Sequence, residues 1–357
     1  MNIETVMPTL RGLTFNGRIG SIICSVPTLN SPDLTCKAEE LTSILTEEIR
    51  SLNVEGLGGF LIGEDYDDAQ SGKNNSPKVS GRNAVIHNSV CVVTGGAQGF
   101  GEGIVCGLAN HGAHVFIADK NIEGAISLAD KLNEEAGRTI AFGIHCDVTD
   151  EDSVKNMIHK IILKVGGIDL FISNAGVLKA GSVKSLSKED FNLVTQVNYL
   201  GYFLCTKHVT PSMEIMNNIS KEYTFNIISI ASKSALEGSN KNAAYAGSKF
   251  GSIGLTQSFA KELVTSGIKV NTICPGNYFD GPLWSDPENG LFIQYLTNGK
   301  VPGATSLEDV KKYYESKVPM QRGCNTNDLV NAVLYLVEQQ YETGQALPVT
   351  GGQVMLN

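Results

Sequence analysis

Tyr245 and Lys249 stand four residues apart in NAAYAGSKFGSIGLTQSFAKEL, a helical stretch in which that spacing puts both side chains on one face. A phenol titrating near about 10 is a poor base at neutral pH. A neighbouring ammonium stabilises its phenolate, so the pair could pass a proton to and from an alcohol. Thirteen residues before Tyr245, Ser232 ends the run FNIISIAS, where a strand emerging from a sheet would deliver a hydroxyl able to hold a developing alkoxide. Ser229 and Ser234 are nearby rivals, and the spacing to Tyr245 favours Ser232.

A second constellation lies upstream, in SVCVVTGGAQGFGEGIVCGLANHGAHVFIADK, where a glycine-rich turn joins an apolar strand to a helix. Gly95 allows a tight turn, Gly99 lets backbone approach a pyrophosphate, and Gly101 permits close helix packing. Phosphates would rest on free N–H groups at the positive helix end. Asp119 closes the next strand, 18 residues after Gly101. Its carboxylate can accept from adenosine ribose hydroxyls and would repel a 2′-phosphate, which selects NAD over NADP. Lys120 beside it reads as a solvated lysine.

Such groups need a scaffold. From Ser89 onward the runs SVCVV, HVFIA, IAFGIH, LFIS, FNIISI, KVNTIC and ALPV alternate with amphipathic helical stretches. That rhythm predicts an α/β fold, a doubly wound parallel sheet of the Rossmann type over residues 89–357. Residues 1–62 read as a small α/β appendage, too small to stand alone. It has strand-like SIICSV and GGFLI, and Leu41, Ile44, Leu45, Ile49 and Leu52 fall on one helical face between them. The polar, turn-rich stretch 63–88 reads as a linker. Residues 279–318, irregular and then helical over EDVKKYYESK, suggest a lid that excludes water, with Trp284 as lid packing or as a simple hydrophobic anchor.

Composition narrows the partners. A net charge of -9 without a basic cluster argues against nucleic acid or an anionic membrane, so an anionic ligand needs a local cation site. The eight cysteines form no CxxC pair and several sit in apolar runs, which reads as buried thiols in a reducing compartment. With neither a leader-like start nor a stretch of roughly 18 apolar residues, the expected location is the cytoplasm. The six histidines offer no pair at metal-ligand spacing, and no metal is expected.

In their order along the chain, TGGAQGFG, SNAG, Asn198 in QVNYLGYF, Ser232, YAGSK and CPG resemble the short-chain dehydrogenase/reductase family. The resemblance implies an NAD(H)-dependent enzyme interconverting a secondary alcohol and a ketone. Its tetrad would be Asn198, Ser232, Tyr245 and Lys249, with Asn198 supporting a water chain to Lys249. Besides the turn glycines and Asp119, it implies cofactor contacts at Gln98, Phe100, Asp147, Val148, Asn174, Gly176, Tyr245, Lys249, Pro275 and Gly276. Asp147 would meet the adenine, and Asn174 with Gly176 would form the wall beside the ribose. It also implies a homodimer or homotetramer paired through the helices that carry Asn198 and Tyr245.

The sequence departs from the family pattern twice. Phe100 replaces a small aliphatic residue, and NYFDGPLW after CPG lacks the common threonine. Several further runs, including NYLGYFLC, SKSALEGSNKNAAYAGSKFGSIGLTQS and YYESKVPMQRGC, are similar to the sorbitol-6-phosphate dehydrogenase branch, implying oxidation of a polyol phosphate to a ketose phosphate. Lys179, Lys233 and Arg322 flank the active-site segments and could converge on the phosphate. Two other functions share the fold: reduction of another ketone or a 3-oxoacyl substrate, and nucleotide sensing without turnover, which a damaged tetrad would mark.

Overall fold

The structure is a computed structural model; it describes all residues except 47–48, 73–76, 78, 289 and 356–357. The N-terminal part runs α1 (Ile3–Leu13), β1 (Ile22–Val26), β2 (Leu34–Cys36), α2 (Leu41–Ile44), β3 (Ser51–Val54), β4 (Gly58–Gly63) and α3 (Tyr66–Ser71). The remainder begins β5 (Val90–Thr94), α4 (Gly99–Asn110), β6 (His114–Asp119), α5 (Ile122–Ala136), β7 (Ala141–His145), α6 (Glu151–Val165) and β8 (Leu170–Ser173). It continues through α7 (Lys188–Thr195), α8 (Gly201–Ile219), β9 (Phe225–Ile230), α9 (Ala243–Leu263) and β10 (Ile268–Pro275). The short helices α10 (Pro282–Ser285) and α11 (Leu291–Thr297) precede α12 (Leu307–Ser316), α13 (Thr326–Glu338) and β11 (Ala346–Val349).

All seven strands expected after Ser89 are present. They form one sheet in the order β11-β10-β9-β8-β5-β6-β7, every pair parallel. Apolar runs become strands here because both sheet faces are covered. Alternate residues of β5 divide between the faces: Val90 and Val92 join a core with α6 and α8, Cys91 and Val93 one with α4, α5 and α13. The chain order reverses between β5 and β8, so the carboxyl ends of those strands open a crevice of the kind that takes ligands in such sheets.

The α4–α13 contact is unusually close. A Cβ on Gly103 would lie 2.0 Å from Thr326 Cγ2, and one on Gly107 2.3 Å from Val330 Cγ2.

The N-terminal part shares the core of the rest. Val6, Met7, Leu10, Ile22 and Ile23 are buried in the same cluster as Ile161, Val209 and Phe225. Its own sheet, β1-β4-β3-β2, is antiparallel at β1–β4 and β4–β3 and parallel at β3–β2. The Arg11 side chain is fully buried and donates to Asp169 Oδ2 at 2.6 Å and the Ser21 carbonyl at 2.7 Å. Asp169 also accepts from Val90 N at 2.6 Å and from the Tyr223 hydroxyl, whose oxygen accepts from Gly20 N at 2.9 Å.

Two sequence expectations need correction. The helical face proposed through Leu41–Leu52 exists only as the single turn α2: Leu45 turns extended, and Leu52 belongs to β3, where pairing with Phe60 outweighs helical periodicity. The stretch 63–88 was expected as a linker, yet it holds α3, capped by Asp65, a 3₁₀ turn at Gly81–Ala84 and buried Ile86, His87 and Asn88. Asp65 also pairs with Arg138 at 3.5 Å, and the Tyr66 amide donates to His114 Nε2 at 3.2 Å. These contacts tie the stretch to the amino ends of the strands; residues 73–76 and 78 of the expected linker lie outside the described residues.

Candidate active site

At the end of β5 the chain turns through Gly95 and Gly99, both at φ of 62°, a left-handed conformation that favours glycine. Any side chain at Gly101 would strike the Gly95 carbonyl, 2.0 Å from its Cβ, so α4 can pack on the turn only through a glycine. Gln98 makes no side-chain cap, which leaves the first-turn amides of α4 open toward an anion.

Asn174, expected beside a ribose, spends its amide on the turn itself. It donates to the Thr94 and Gly95 carbonyls, both at 3.0 Å. Asp119 sits at the end of β6 as expected, its carboxylate accepting from Ala97 N at 3.0 Å and Asn121 N at 2.9 Å.

Lys120 is exposed but not unpartnered: its ammonium meets Asp147 Oδ2 at 2.7 Å. Against the raising effect of partial burial, hydrogen bonds from Lys120 and Thr149 hold the Asp147 carboxyl down at about 2. Val148 is buried against Gly201, where an added Cβ would meet Val148 Cγ2 at 2.8 Å.

The two departures from the family pattern meet each other. Phe100 stacks on Tyr278 of the NYFDG run with ring centroids 4.6 Å apart. Pro275 ends β10, and Gly276 continues the pairing with β11 by donating to the Val349 carbonyl at 2.9 Å.

Ser232, Tyr245, Lys249 and Asn198 come together from three elements, the end of β9, the helix α9 and the turn before α8. Ser232 follows β9, and its Oγ is pinned by accepting from Ser234 N at 3.1 Å. Tyr245 lies in the first turn of α9, hydrogen-bonded to Ser232; burial pushes its hydroxyl up to about 12, with the Ser232 bond working the other way. Lys249, one turn on, is buried and donates to the Ile230 carbonyl at 2.8 Å, its Nζ 5.8 Å from the centre of the Tyr245 ring. Burial pulls that ammonium down to about 8.

Asn198 lies in a five-residue π turn, Gln196–Leu200, between α7 and α8, a local widening often found at functional sites. Its amide accepts from Val177 N at 2.8 Å and donates to the Val177 carbonyl at 2.9 Å and Ser248 Oγ at 3.1 Å. A Cβ on Gly176 would stand 3.4 Å from Asn198 Oδ1 and 3.5 Å from Lys249 Nζ, so those groups flank the same glycine. The rivals Ser229 and Ser234 are buried, Ser229 within β9 itself.

Of the three cations expected at a phosphate, two already have carboxylate partners. Arg322 makes a two-pronged pair with Asp328, at 2.6 and 3.0 Å, and lines a cavity with Gly276, Asn277, Met320 and Gly351. An acid six residues on, at the start of α13, claims the guanidinium before any ligand can. Lys179 is exposed, and Lys233 pairs with Glu237 at 3.3 Å.

Lys233 does have cationic company that sequence reasoning missed. The Lys300 ammonium is drawn down to about 8, first by burial and then by repulsion from Lys233, Lys241 and Lys317. Lys300 lies 3.8 Å over the Tyr295 ring and Lys317 4.1 Å over that of Tyr313. Both tyrosines belong to the aromatic cluster of residues 279–318, in which Trp284 is buried against Phe279, Tyr295 and Tyr314. No signal in the sequence links lysines spread over 85 positions.

Comparison with known proteins agrees with this geometry. Residues 89–284 match the family described as short chain dehydrogenase. The chain is 37% identical over 271 residues to sorbitol-6-phosphate 2-dehydrogenase of Escherichia coli K12, covering 75% of this chain and 99% of that protein. It is 29% identical over 272 residues to a 3-oxoacyl-[acyl-carrier-protein] reductase of Thermotoga maritima, covering 76% and 99%. Among solved structures, sorbitol-6-phosphate 2-dehydrogenase from Erwinia amylovora superposes with a TM-score of 0.68 at 38% identity, covering 74% of this chain and all of that one. The 3-ketoacyl-(acyl-carrier-protein) reductase from Brucella melitensis, solved with NADH, gives 0.64 at 26% identity over 76% of this chain and all of that one. With its dehydrogenase fold, its glycine turn and its gathered serine, tyrosine and lysine, the chain belongs to the short-chain dehydrogenase/reductase family.

Proposed function

We propose that the protein oxidises a secondary alcohol of a polyol phosphate to a ketose phosphate with NAD. The observation that carries the chemistry is the Tyr245 hydroxyl bonded to Ser232, with the Lys249 ammonium behind it. When bound, the nicotinamide supplies the acceptor for the hydride leaving the carbinol carbon.

The chain's own groups do the rest. Tyr245, as phenolate, accepts the substrate hydroxyl proton while Ser232 donates a hydrogen bond to the same oxygen. Lys249 lowers the phenol's affinity for its proton through its positive charge, offsetting the effect of burial. Asn198 holds the backbone at Val177, beside Lys249, and in this reading also a water leading to that ammonium. The open amides of α4 and the glycines at 95, 99 and 101 fit a pyrophosphate, with Gln98 and Phe100 along the same turn, Asp147 and Val148 at the adenine, and Asn174, Gly176, Pro275 and Gly276 toward the ribose and nicotinamide.

Asp119 selects NAD, since its carboxylate would repel a 2′-phosphate and the adjacent Lys120 is engaged by Asp147. The polyol phosphate reading rests on likeness to two sorbitol-6-phosphate 2-dehydrogenases. The reductases of 3-oxoacyl carriers among the relatives give the competing reading. The assay that separates them is NAD-linked oxidation of sorbitol 6-phosphate and related polyol phosphates against NADH-linked reduction of acetoacetyl-CoA. A kcat/KM higher for the acyl thioester overturns the proposal.

We infer a homodimer or homotetramer as the working form. Phe191, Leu193, Leu200, Phe203 and Phe250 are exposed along α7, the π turn, α8 and α9, the helices that carry Asn198 and Tyr245. An apolar face of this extent on an acidic protein suits self-association. No helix among the described residues is long and apolar enough to cross a membrane, and the cytoplasm remains the proposed location.

A further inference from the structure

Lys233 was foreseen from sequence at the substrate end of the site; Lys241, Lys300 and Lys317 were not. Lys233 and Lys241 belong to the segments framing α9, one following Ser232 and the other two residues before the helix. Lys300 and Lys317 belong to residues 279–318. The two sets are stitched together at Asn242. Its amide is satisfied when the oxygen accepts from the Tyr295 hydroxyl at 3.1 Å and Lys300 Nζ at 3.3 Å, while the nitrogen donates to the Lys241 carbonyl at 2.9 Å. Lys241 Nζ in turn donates to the Asn298 carbonyl at 3.4 Å.

We propose that Lys233, Lys241, Lys300 and Lys317 form a subsite for a phosphate monoester, and that the bound phosphate clamps residues 279–318 against the α9 end of the site. The subsite takes the phosphate end of the polyol whose oxidation at Tyr245 is proposed above, and it rests on that reading for the identity of the substrate.

Three features support it. Lys233 pairs with Glu237, and the four lysines are set together in a protein whose net charge is -9, so the charge is concentrated against the trend of the whole chain. Burial, and after it repulsion from Lys233, Lys241 and Lys317, depresses Lys300, as expected of cations held together by the fold. Lys300 and Lys317 rest on tyrosine rings, which fix their stems and leave N–H donors free for an anion. Position agrees as well, since Tyr295 beneath Lys300 donates to Asn242, the residue just before α9 and three positions before Tyr245. A dianion bridging Lys233 and Lys241 to Lys300 and Lys317 would join the two sides of the site, because only one pair moves with the lid.

The test uses the full chain loaded with NAD. Inorganic phosphate is titrated and followed by phosphorus NMR, and the fluorescence of Trp284, the single tryptophan, reports on the aromatic cluster beneath the lysines. Saturable binding is expected, weakened at least about tenfold in Lys241→Met and in Lys300→Met, with the KM for sorbitol 6-phosphate raised roughly tenfold to a hundredfold and the KM for NAD unchanged. Phosphate that does not bind the wild type saturably, or binds both variants as tightly, overturns the subsite. If sorbitol 6-phosphate is oxidised with an unchanged KM in both variants, the subsite falls and the polyol phosphate reading stands. If phosphate binds through these lysines while no polyol phosphate is oxidised, the subsite stands and the substrate reading falls.

Discussion

Arg11→Met tests how the N-terminal part is fastened to the dehydrogenase fold. The guanidinium is fully buried and makes two short hydrogen bonds, to Asp169 Oδ2 at 2.6 Å and the Ser21 carbonyl at 2.7 Å. Methionine fills much of the stem but removes the charge, leaving Asp169 buried with only Val90 N and the Tyr223 hydroxyl as donors. Breaking one side of a buried pair destabilises by about 3–5 kcal/mol. The two donors Asp169 keeps place the expected loss toward the lower end, about 3 kcal/mol.

With a urea m-value of about 3 kcal/mol/M, the unfolding midpoint read by circular dichroism should fall by about 1 M. Asp169→Asn should cost a similar amount by stranding the arginine, and the double variant should be better than additive by at least about 1.5 kcal/mol. Turnover in native buffer should stay near the wild-type value, since Asp169 lies at the amino end of β8 and Tyr245 at the carboxyl side of the sheet. A midpoint shift worth less than about 1 kcal/mol, or strict additivity, would refute the view that this pair holds the two parts together.

Tyr245→Phe should lower kcat by about 10²–10⁴ while NAD still binds, measured by steady-state kinetics and calorimetry; retention of a tenth of the activity would take the proton away from Tyr245. Asp119→Ala should narrow the preference of kcat/KM for NAD over NADP, and a wild type that prefers NADP would overturn the role given to this carboxylate. Phe250→Glu, or Phe203→Glu, should shift the mass in sedimentation toward the monomer, whereas a wild type that is monomeric at micromolar concentration excludes the proposed pairing. Burial holds the His114 imidazole down at about 3, below its ordinary 6.5, so the unfolded chain takes up an extra proton between those values. Stability should therefore drop as the pH is lowered through that window, by at most about 1.4 kcal/mol per unit from this residue, and His114→Gln should flatten the decline in urea midpoints.

What could be read from the chain, and what could not, divides along a physical line. Strands β5, β6, β8, β9 and β10 were visible because each is an apolar run buried on both faces, a pattern that tertiary context reinforces, while the edge strands β7 and β11 are only partly buried. Ser232, Tyr245 and Lys249 were visible because their spacing is local, set by one strand end and one helix turn. The helix expected through Leu41–Leu52 failed because a short apolar run suits a strand as well as a helix, and pairing with Phe60 decided between them. Arg322 was misjudged because an arginine looks free until its acid, here Asp328, is placed beside it. Lys241, Lys300 and Lys317 stayed hidden for the opposite reason: each looks solvated alone, and only the fold of 279–318 over α9 gathers them.

The glycines at 103 and 107 give the nucleotide crevice a mechanical character. With no side chain of its own at these two positions, α4 takes Thr326 and Val330 of α13 against its backbone, and the helices are keyed together like the halves of a casting. The chain entering α13 is fixed in turn to the far wall, the Cys324 amide donating to the Asn277 carbonyl at 2.8 Å just beyond Gly276. The phosphate-gripping turn and the loop after β10 are thus two faces of one rigid jaw, set when the chain folds. Such a jaw has little freedom left to lose when it grips a nucleotide. If residues 279–318 act as the lid proposed above, they would close on this jaw through Pro282, whose Cδ lies 3.6 Å from where a Cβ on Gly99 would stand.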